Sequence, residues 1–438
     1  MANNHHSPAA SKINRIRTLQ WNCRNFGLPE SELDETGFQS RKTKTKKLNG
    51  RSSITANRKQ NLFLFMDTLQ ELKPDVVLLQ SVNLHRQEMQ EFPGYTLVSW
   101  GKRYQNNQIS TAIYVSNKLS AENARTIIPR TNGASSCSCK IILRNKKTIN
   151  FNSAYFPLGP GNIDLKFFDN MKENEKETWV LGGDFNKHHS YWSKSPRAIK
   201  INDKFAEAVM NAEMILLNDK TPTRPPSVIG HLPTAIDLSL ASPSLKIENW
   251  APLPEHINGS DHFPIIFDIV LSEDNSEKIN IIPKRNYAKA NWEIYESNLL
   301  SKSIHTDHFH PSVNVHLDNI INSMDEAADT AIPMISNKPI KTHFGPWFTE
   351  DCKAAIKEER KRNRILYSDK NGYTLKNKLA KQIAENIRKK VIAEAKLNYM
   401  NRYIQENVSD YKDTSKLWRK IKKTQEQKIN RHKKDIIL

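Results

Sequence analysis

The residues best suited to chemistry follow a short apolar run, residues 179–181. The run predicts a buried strand, and we expect the pair Gly182 and Gly183 to end it. Asp184 and Asn186 then lie two residues apart, and residues i and i+2 of an extended backbone point the same way. A carboxylate and a carboxamide that face one point can orient a water and hold a phosphate oxygen. The alternative is a strand that ends in an ordinary Asp/Asn turn.

Other polar side chains stand at the ends of predicted strands in the same part of the sequence. Each one alone is also typical of a turn. Open α/β folds place their sites at strand ends, so the set as a whole predicts one site. The further members of this set are Asn22, Tyr155, Asp237, Asp261 and His262.

The elements that must position these residues follow from apolar spacing. Residues 62–72 carry apolar side chains at helical spacing, and residues 76–80 form a run that is apolar on both faces, as in an interior strand. Weaker patterns predict a helix at residues 205–214 and strands at residues 16–22, 95–100, 109–115, 140–143, 148–155 and 235–240.

The chain is strongly basic, with a formal net charge of +19 and an isoelectric point near 9.5. Residues 351–438 contain 25 Lys and Arg against 11 Asp and Glu, so most of the excess charge lies there. Such a charge indicates a polyanionic partner, most simply nucleic acid. The alternative is a helical hairpin that packs on itself and exposes a charged face to water.

Four cysteines show no zinc-ligand spacing and no disulfide framework, which is typical of a reducing compartment. Residues 1–20 lack the apolar core of a signal peptide, and no run is long enough to span a bilayer. We therefore expect a soluble intracellular protein without a membrane partner.

Five ordered motifs between residues 16 and 270 resemble the endonuclease/exonuclease/phosphatase superfamily, and within it the apurinic-type endonuclease domain of non-LTR (LINE-type) retrotransposons. The retroelement branch is favoured by His188, His189 and Trp192 after the central motif and by Thr223-Arg224 before Asp237. The motifs are Trp21-Asn22, Pro74-Asp75-Val76-Val77-Leu78-Leu79-Gln80, Gly182-Gly183-Asp184-Phe185-Asn186, Ala235-Ile236-Asp237-Leu238 and Ser260-Asp261-His262.

The resemblance implies a DNase-I-like, four-layer α/β sandwich in which two mainly antiparallel sheets pack face to face under outer helices. It also implies phosphodiester hydrolysis that depends on Mg²⁺ or Mn²⁺, with a DNA duplex at the target site as substrate. Element RNA is a second expected partner, through the basic tail. The oligomeric state is left open. The expected place of action is the nucleus, with the cytoplasm as the alternative.

The resemblance also assigns roles to individual residues. Asp184 resembles the carboxylate that positions or deprotonates the attacking water, and Asn186 the amide that orients its neighbours and the phosphate. His262 resembles the histidine that binds the scissile phosphate, and Asp237 the carboxylate that orients this imidazole. Tyr155 resembles a phosphate-contacting tyrosine.

For the metal, the resemblance points to Asn22 and Asp261. For nucleic-acid contacts, it points to Arg224, Lys187 and His188.

One position departs from the family pattern. After Gln80 the family has a glutamate that binds the metal directly, and this sequence has Ser81. In a Mg²⁺ site built from oxygen ligands, a neutral hydroxyl is a poor replacement for a carboxylate. We therefore expect weaker metal binding and a weak or inactive nuclease.

The sequence divides into four expected parts. Residues 1–15 form a disordered lead, and residues 16–270 form the endonuclease-like domain, with a basic insertion loop at residues 28–57. Residues 271–345 form a linker with short helices, and residues 346–438 form a basic helical connector toward a reverse transcriptase. No polymerase aspartate motif is found in the sequence, so we expect no reverse transcriptase domain in this chain.

Three functions remain open from the sequence. The first is a DNA-nicking endonuclease domain of a retrotransposon polyprotein. The second is a catalytically silent remnant that binds nucleic acid, whose binding would depend steeply on salt. The third is a phosphatase or phospholipase on the same fold, because fold alone does not decide substrate.

Overall fold

The computed structural model describes residues 15–27, 47–85, 89, 92–102, 108–124, 134–143, 147–157, 165, 167–168, 177–194, 203–226, 232–271, 290–303, 313–333, 345–368 and 372–408. Within these residues, none of the helices combines the length and the apolar character needed to cross a membrane. The four cysteines lie in the described part of the chain, where all are buried and none is joined to another by a disulfide.

The described strands form two six-stranded sheets, and helices flank them. The strands are β1 Arg15–Asn22, β2 Val76–Gln80, β3 Tyr95–Lys102, β4 Ile109–Ser116, β5 Ala121–Ala124, β6 Ser135–Ile142, β7 Thr148–Tyr155, β8 Glu177–Asp184, β9 Ile215–Leu216, β10 Asp237–Ala241, β11 Lys246–Pro252 and β12 Ile265–Val270. The helices are α1 Arg24–Gly27, α2 Lys47–Leu72, α3 Asp203–Asn211, α4 Trp292–Ser303, α5 Val313–Ala331, α6 Glu350–Tyr367 and α7 Leu375–Val408.

Both sheets are mainly antiparallel. The first has the order β11-β12-β1-β2-β4-β3 and the second the order β5-β6-β7-β8-β10-β9. Each contains one parallel pair, β1 with β2 and β7 with β8. The register pairs Arg15 of β1 with Val270 of β12, so the first and last strands of the sheet region lie side by side.

The apolar core around the two described sheets has three layers. One cluster lies between the sheets and includes Leu78, Phe151 and Phe267. A second packs Phe65 of α2 against the first sheet, and a third packs Phe205 of α3 against the second. Strand β2 lies inside its sheet and is covered on both faces, so its residues are apolar on both faces and do not alternate with polar ones. The domain therefore consists of four layers in the order helix, sheet, sheet and helix. This confirms the predicted four-layer sandwich.

The strand predictions differ from the structure mainly at the edges. The strand predicted at residues 148–155 is β7, whereas the one predicted at residues 140–143 begins at Ser135 in β6. Strands β5, β9 and β11 were missed. Most of their residues are exposed or half-buried, so they lack the apolar alternation that marks a strand in sequence.

The prediction of a loop at residues 28–57 is wrong in its second part. Helix α2 begins at Lys47, inside that segment, and residues 28–46 lie outside the described residues. The apolar periodicity that predicts this helix begins only at Leu62, because the earlier turns carry polar and basic side chains.

The connector packs on the sheet domain through α6 and the segment before it. The guanidinium group of Arg360 donates to Asp67 at 2.5 Å and to Glu71 of α2. Phe63 contacts the rings of Trp347 and Phe348, at centroid distances of 5.5 and 5.7 Å. The region therefore shares an interface with the predicted endonuclease-like domain. The last 30 residues of the connector, 409–438, lie outside the described residues.

Apolar residues recur every four positions along α7 in the sequence, but this stripe does not form the packed face of the helix. Leu379, Ile383 and Ile387 of this stripe are 56%, 51% and 53% exposed. The side chains buried on α7 include Ala384 and Ile392. Spacing of four residues identified a stripe but not the side of the helix that meets α6.

His256 gives this interface a pH dependence. Its Nδ1 lies 3.1 Å from Thr68 Oγ1, and burial, with the nearby Arg360 and Arg364, lowers its pKa to about 3. Between pH 3 and 6.5 the unfolded chain binds a proton that the folded chain does not. Stability should therefore fall below pH 6.5, by up to about 1.4 kcal/mol per pH unit.

Urea unfolding from pH 7 to 4 measures this effect, with His256→Gln as the comparison. Gln keeps a donor for Thr68 but does not titrate, so the variant should lose less stability on acidification than the wild type. Parallel curves for the two proteins would contradict the prediction.

Candidate active site

The strand that carries the central motif continues through the glycine pair. The prediction that Gly182 and Gly183 end the strand is wrong, because β8 ends at Asp184. The glycines serve close packing. A Cβ on Gly182 would lie 2.6 Å from Gln20 Oε1, and one on Gly183 would lie 2.5 Å from the carbonyl oxygen of Ala154. Because Gly182 has no side chain, the first sheet can pack closely on β8. Because Gly183 has none, the β7 backbone can lie close to β8.

Asp184 and Asn186 meet by a different geometry from the predicted one. Asn186 has a φ of 50°, so the backbone is left-handed there and not extended. The Asn186 backbone N–H donates to Asp184 Oδ1 at 3.0 Å, and its Nδ2 donates to Asp184 Oδ2 at 3.1 Å. Nδ2 also donates to the Phe156 carbonyl at 2.8 Å. An Asp/Asn turn was the alternative to a functional site in the sequence, and this turn is what brings the two side chains together.

The neighbouring strands bring two further predicted residues to Asp184. In the register of the second sheet, Tyr155 of β7 and Asp237 of β10 both pair with Asp184. Tyr155 is 6% exposed and Asp237 is 2% exposed. Three predicted residues from distant parts of the sequence thus lie side by side at one sheet end.

A histidine is held against Asp237. His262 Nδ1 lies 2.9 and 2.8 Å from the two carboxylate oxygens of Asp237, and its Nε2 lies 4.0 Å from Asp184 Oδ2. Thr223 Oγ1 donates to Asp237 Oδ2 at 2.7 Å. Trp21 Nε1 donates to the His262 carbonyl at 3.2 Å, which ties the histidine loop to β1. The imidazole therefore has a fixed orientation.

The end of β1 completes the cluster. Asn22 Nδ2 donates to Asp184 Oδ2 at 2.7 Å, and Asn22 Oδ1 accepts from the Arg24 backbone N–H at 3.0 Å. Asp261 forms ion pairs with Arg224 at 2.5 Å and with Arg24 at 3.2 Å. Arg224 therefore lies inside the cluster, as a partner of Asp261.

Burial and charge shift the pKa values of the central groups. Burial raises the pKa of Asp184 to about 7, although the nearby His262 opposes this shift. Burial disfavours the charged form of His262, but Asp237, Asp184 and Asp261 outweigh it and raise its pKa to about 9. The pKa of Asp261 is lowered, because His262, Arg224 and Arg24 outweigh its burial. At neutral pH the site combines an imidazolium with a carboxyl group that can take up a proton.

The residues expected to bind a metal do not fit a conventional Mg²⁺ site. Ser81 is buried at the end of β2 and contributes no carboxylate. The Asp261 carboxylate already has two guanidinium partners, and Asn22 Oδ1 accepts from a backbone N–H. Oxygen-ligand Mg²⁺ sites rely on one or two carboxylates, and the weak metal binding expected from the sequence stays a prediction.

A buried acid and histidine cluster is nevertheless present among the described residues. Potential ligand atoms of Asp184, Asp237 and His262 lie within 4.8 Å of one another. The His262 nitrogen nearest Asp237 is already hydrogen-bonded to that carboxylate, so a cation would have to displace this contact.

Two expected nucleic-acid contacts lie beside the cluster. Lys187 and His188 follow Asn186 and are half-buried. Burial lowers the pKa of Lys187, and its carbonyl accepts from Trp192 Nε1 at 3.0 Å.

Sequence reasoning missed two residues that the site uses. Arg24 follows the Trp-Asn motif by two positions, and that proximity was the available signal. Gln20 carries no such signal. Its amide donates to Gly183 and Leu238 carbonyls of the second sheet, at 3.3 and 3.2 Å, and so joins the sheets beneath the site.

Comparisons with known proteins agree with the resemblance. Residues 149–266 match a family model described as "Endonuclease-reverse transcriptase". A probable RNA-directed DNA polymerase from transposon BS of Drosophila melanogaster is 24% identical over 366 residues. This match covers 79% of the chain but only 38% of that protein, so the chain spans well under half of the relative's length. The predicted resemblance to retrotransposon endonuclease sequences is confirmed.

Solved structures with similar architecture include two nucleases. The endonuclease domain of TRAS1, a telomere-specific non-LTR retrotransposon, is 17% identical with a TM-score of 0.41, over 59% of this chain and all of that one. The apurinic endonuclease LMAP from Leishmania major is 14% identical with a TM-score of 0.44, over 59% of this chain and 89% of that one.

Proposed function

We propose that the two-sheet domain is the endonuclease domain of a non-LTR retrotransposon protein and that it nicks DNA by phosphodiester hydrolysis. The observation that carries the proposal is the cluster of the buried Asp184, Asp237 and His262 with the half-buried Asn186 at one end of the second sheet. Its supporting context is the family match over residues 149–266, which contain all four residues.

The proposed chemistry uses this chain's own groups. Asp184, with a pKa of about 7, accepts a proton from the attacking water. Its hydrogen bonds from Asn22 and Asn186 fix the direction of the carboxylate. The imidazolium of His262, held by Asp237, donates from Nε2 to a phosphate oxygen and stabilises the charge that develops there as the water oxygen bonds to phosphorus. The scissile P–O bond then breaks, and the leaving oxygen takes up a proton from solvent. Tyr155, Lys187, His188 and Arg224 are the proposed further contacts to the nucleic acid.

The proposed partners follow from charge. A DNA duplex is the proposed substrate, and the basic residues after position 350 supply phosphate contacts to DNA or to element RNA. A role in the nucleus follows from this substrate. The proposed cation is Mg²⁺ or Mn²⁺, and to bind at Asn22 and Asp261 it would have to displace the present partners of these side chains.

We expect the nicking activity to be weak because of Ser81. The second candidate function, a silent nucleic-acid-binding remnant, is favoured by the ion pairs that occupy Asp261. Both candidate functions involve the same fold and the same basic connector, residues 346–438. A measurement of nicking activity is therefore needed to distinguish them.

Nicking of supercoiled plasmid across a titration of Mg²⁺ and Mn²⁺ tests the proposal, with wild type and Ser81→Glu compared. Glu supplies the missing carboxylate, and we expect at least about tenfold faster nicking. Ser81→Gln has the same size without the charge and should nick no faster than the wild type. Melting temperatures of the three proteins show whether the larger side chain is tolerated at this buried position.

Each outcome is informative. If the wild type nicks as fast as Ser81→Glu, a glutamate at position 81 is dispensable. If none of the proteins nicks while all bind duplex DNA, the endonuclease proposal is wrong and the binding remnant stands.

A further inference from the structure

Asp261 is flanked by two arginines from different elements. Arg224 Nη2 lies 2.5 Å and Arg24 Nη1 lies 3.2 Å from the same carboxylate oxygen, Oδ2. Arg24 lies in α1 after β1, and Arg224 precedes β10. Two cationic groups therefore converge on the one acidic residue that the family resemblance places beside the metal.

The backbone holds Arg24 next to the position that lost its glutamate. Arg24 has a φ of 40°, in the left-handed region that favours glycine. Its N–H is fixed by Asn22 Oδ1, and the preceding Cys23 N–H donates to the Gln80 carbonyl at 3.0 Å. Cys23 Sγ also lies 3.8 Å from the Ser81 carbonyl oxygen. The turn that carries Arg24 is thus joined to the end of β2, where Ser81 replaces the acid.

The Asp261 carboxylate faces two cations, Arg24 and Arg224, without an added ion. A glutamate at position 81 would add a negative charge after the end of β2, whereas Ser81 adds none. A divalent cation at Asp261 would have to displace or approach two guanidinium groups, and like charges at this range repel.

We propose that Arg24 and Arg224 form a guanidinium pair that binds a phosphate oxygen of nucleic acid at Asp261, in the place of a divalent cation. This inference rests on the proposed function, because it takes nucleic acid as the ligand. The side chains are 36% and 32% exposed, so a ligand can reach them. A guanidinium has five N–H donors in a planar fork, and those not directed at Asp261 suit a phosphate.

Arg15 offers a matched control. Like Arg24, it is one of two arginines on a single aspartate, with Arg15 Nη1 3.4 Å from Asp268 Oδ2 and Arg17 Nε 2.8 Å from Oδ1. It lies at the opposite end of β1, about 23 Å from Asn22 at the usual rise per residue. Arg15→Ala therefore removes the same charge and the same kind of ion pair away from the site.

The first test measures Mn²⁺ binding to the full chain by calorimetry. If Arg24 holds the cation's place, Arg24→Ala should bind Mn²⁺ about tenfold more tightly than the wild type, because Asp261 loses a competing charge. Arg15→Ala should match the wild type. Unchanged or weaker Mn²⁺ binding by Arg24→Ala would overturn the inference.

The second test measures binding of a short DNA duplex in EDTA by fluorescence anisotropy at several salt concentrations. The wild type should bind without metal, and Arg24→Ala should bind several-fold more weakly, with a salt slope lower by about one. A duplex that binds wild type, Arg24→Ala and Arg15→Ala equally would overturn the inference and leave the proposed function standing. No duplex binding by the wild type, with or without Mn²⁺, would remove the proposed function itself.

Discussion

We expect Asp184→Ala to reduce the rate of plasmid nicking by about 10³-fold. The substitution is made in the wild type or in Ser81→Glu, whichever of the two nicks faster. Asp184 is the carboxylate with a pKa of about 7 at the centre of the site, and it accepts hydrogen bonds from both Asn22 and Asn186. Alanine removes the proton acceptor and the group that fixes both amides. The rate of conversion of supercoiled to open-circular plasmid is the measurement.

The control is Asp219→Ala, which removes an exposed carboxylate that accepts from the Thr221 N–H. It should leave the nicking rate unchanged. Because Asp184→Ala also leaves the buried Asn22 Nδ2 without its partner, we expect a stability cost of about 1–3 kcal/mol. Urea unfolding of both variants separates that cost from the loss of activity. Nicking within a few-fold of the parent would remove Asp184 from the reaction.

Gly183→Ala should destabilise the domain by about 3 kcal/mol. A Cβ at this position would lie 2.5 Å from the carbonyl oxygen and 3.1 Å from the carbonyl carbon of Ala154. These are backbone atoms of β7, whose ladder with β8 pairs Ala154 with Gly183. They can move only if the parallel pair separates, and that would displace Tyr155 from Asp184.

Gly182→Ala serves as the comparison. Its Cβ would meet side-chain atoms, Gln20 Oε1 at 2.6 Å and Leu78 Cδ1 at 2.9 Å, which can turn away at a lower cost of about 1–2 kcal/mol. Urea unfolding of the two variants gives the order. Equal stability of Gly183→Ala and the wild type would contradict the close contact of β7 with β8 at this position.

The interior of the fold was predictable from sequence. Strand β2 is covered on both sides, so its apolar run is unbroken, and β7 was predicted with its observed bounds. The same reasoning missed β5 and β11, whose edge positions leave many side chains in water. It also placed the start of α2 too late, since its first turns carry no apolar stripe.

The site was predictable as a set of residues but not as a geometry. Residue types and their order identified Asn22, Asp184, Asn186, Asp237 and His262. In the structure, Asn22 and Asn186 hydrogen-bond to Asp184, and His262 hydrogen-bonds to Asp237. The expectation that an extended backbone aligns Asp184 with Asn186 was wrong, because a left-handed residue makes the turn. Their catalytic and binding roles stay predictions that the nicking experiments test.

The sequence by itself determined the chemistry available to this protein, namely three acids, two amides, one histidine and a serine where a metal-binding glutamate is expected. Side-chain type is a property of each residue by itself, and it does not depend on the fold. Only the tertiary structure decided which charges face each other, because residues 24, 224 and 261 meet through a fold that joins distant segments. Electrostatic energy depends on distance and burial, so the pairing of Asp261 with Arg24 and Arg224 was not readable from spacing along the chain.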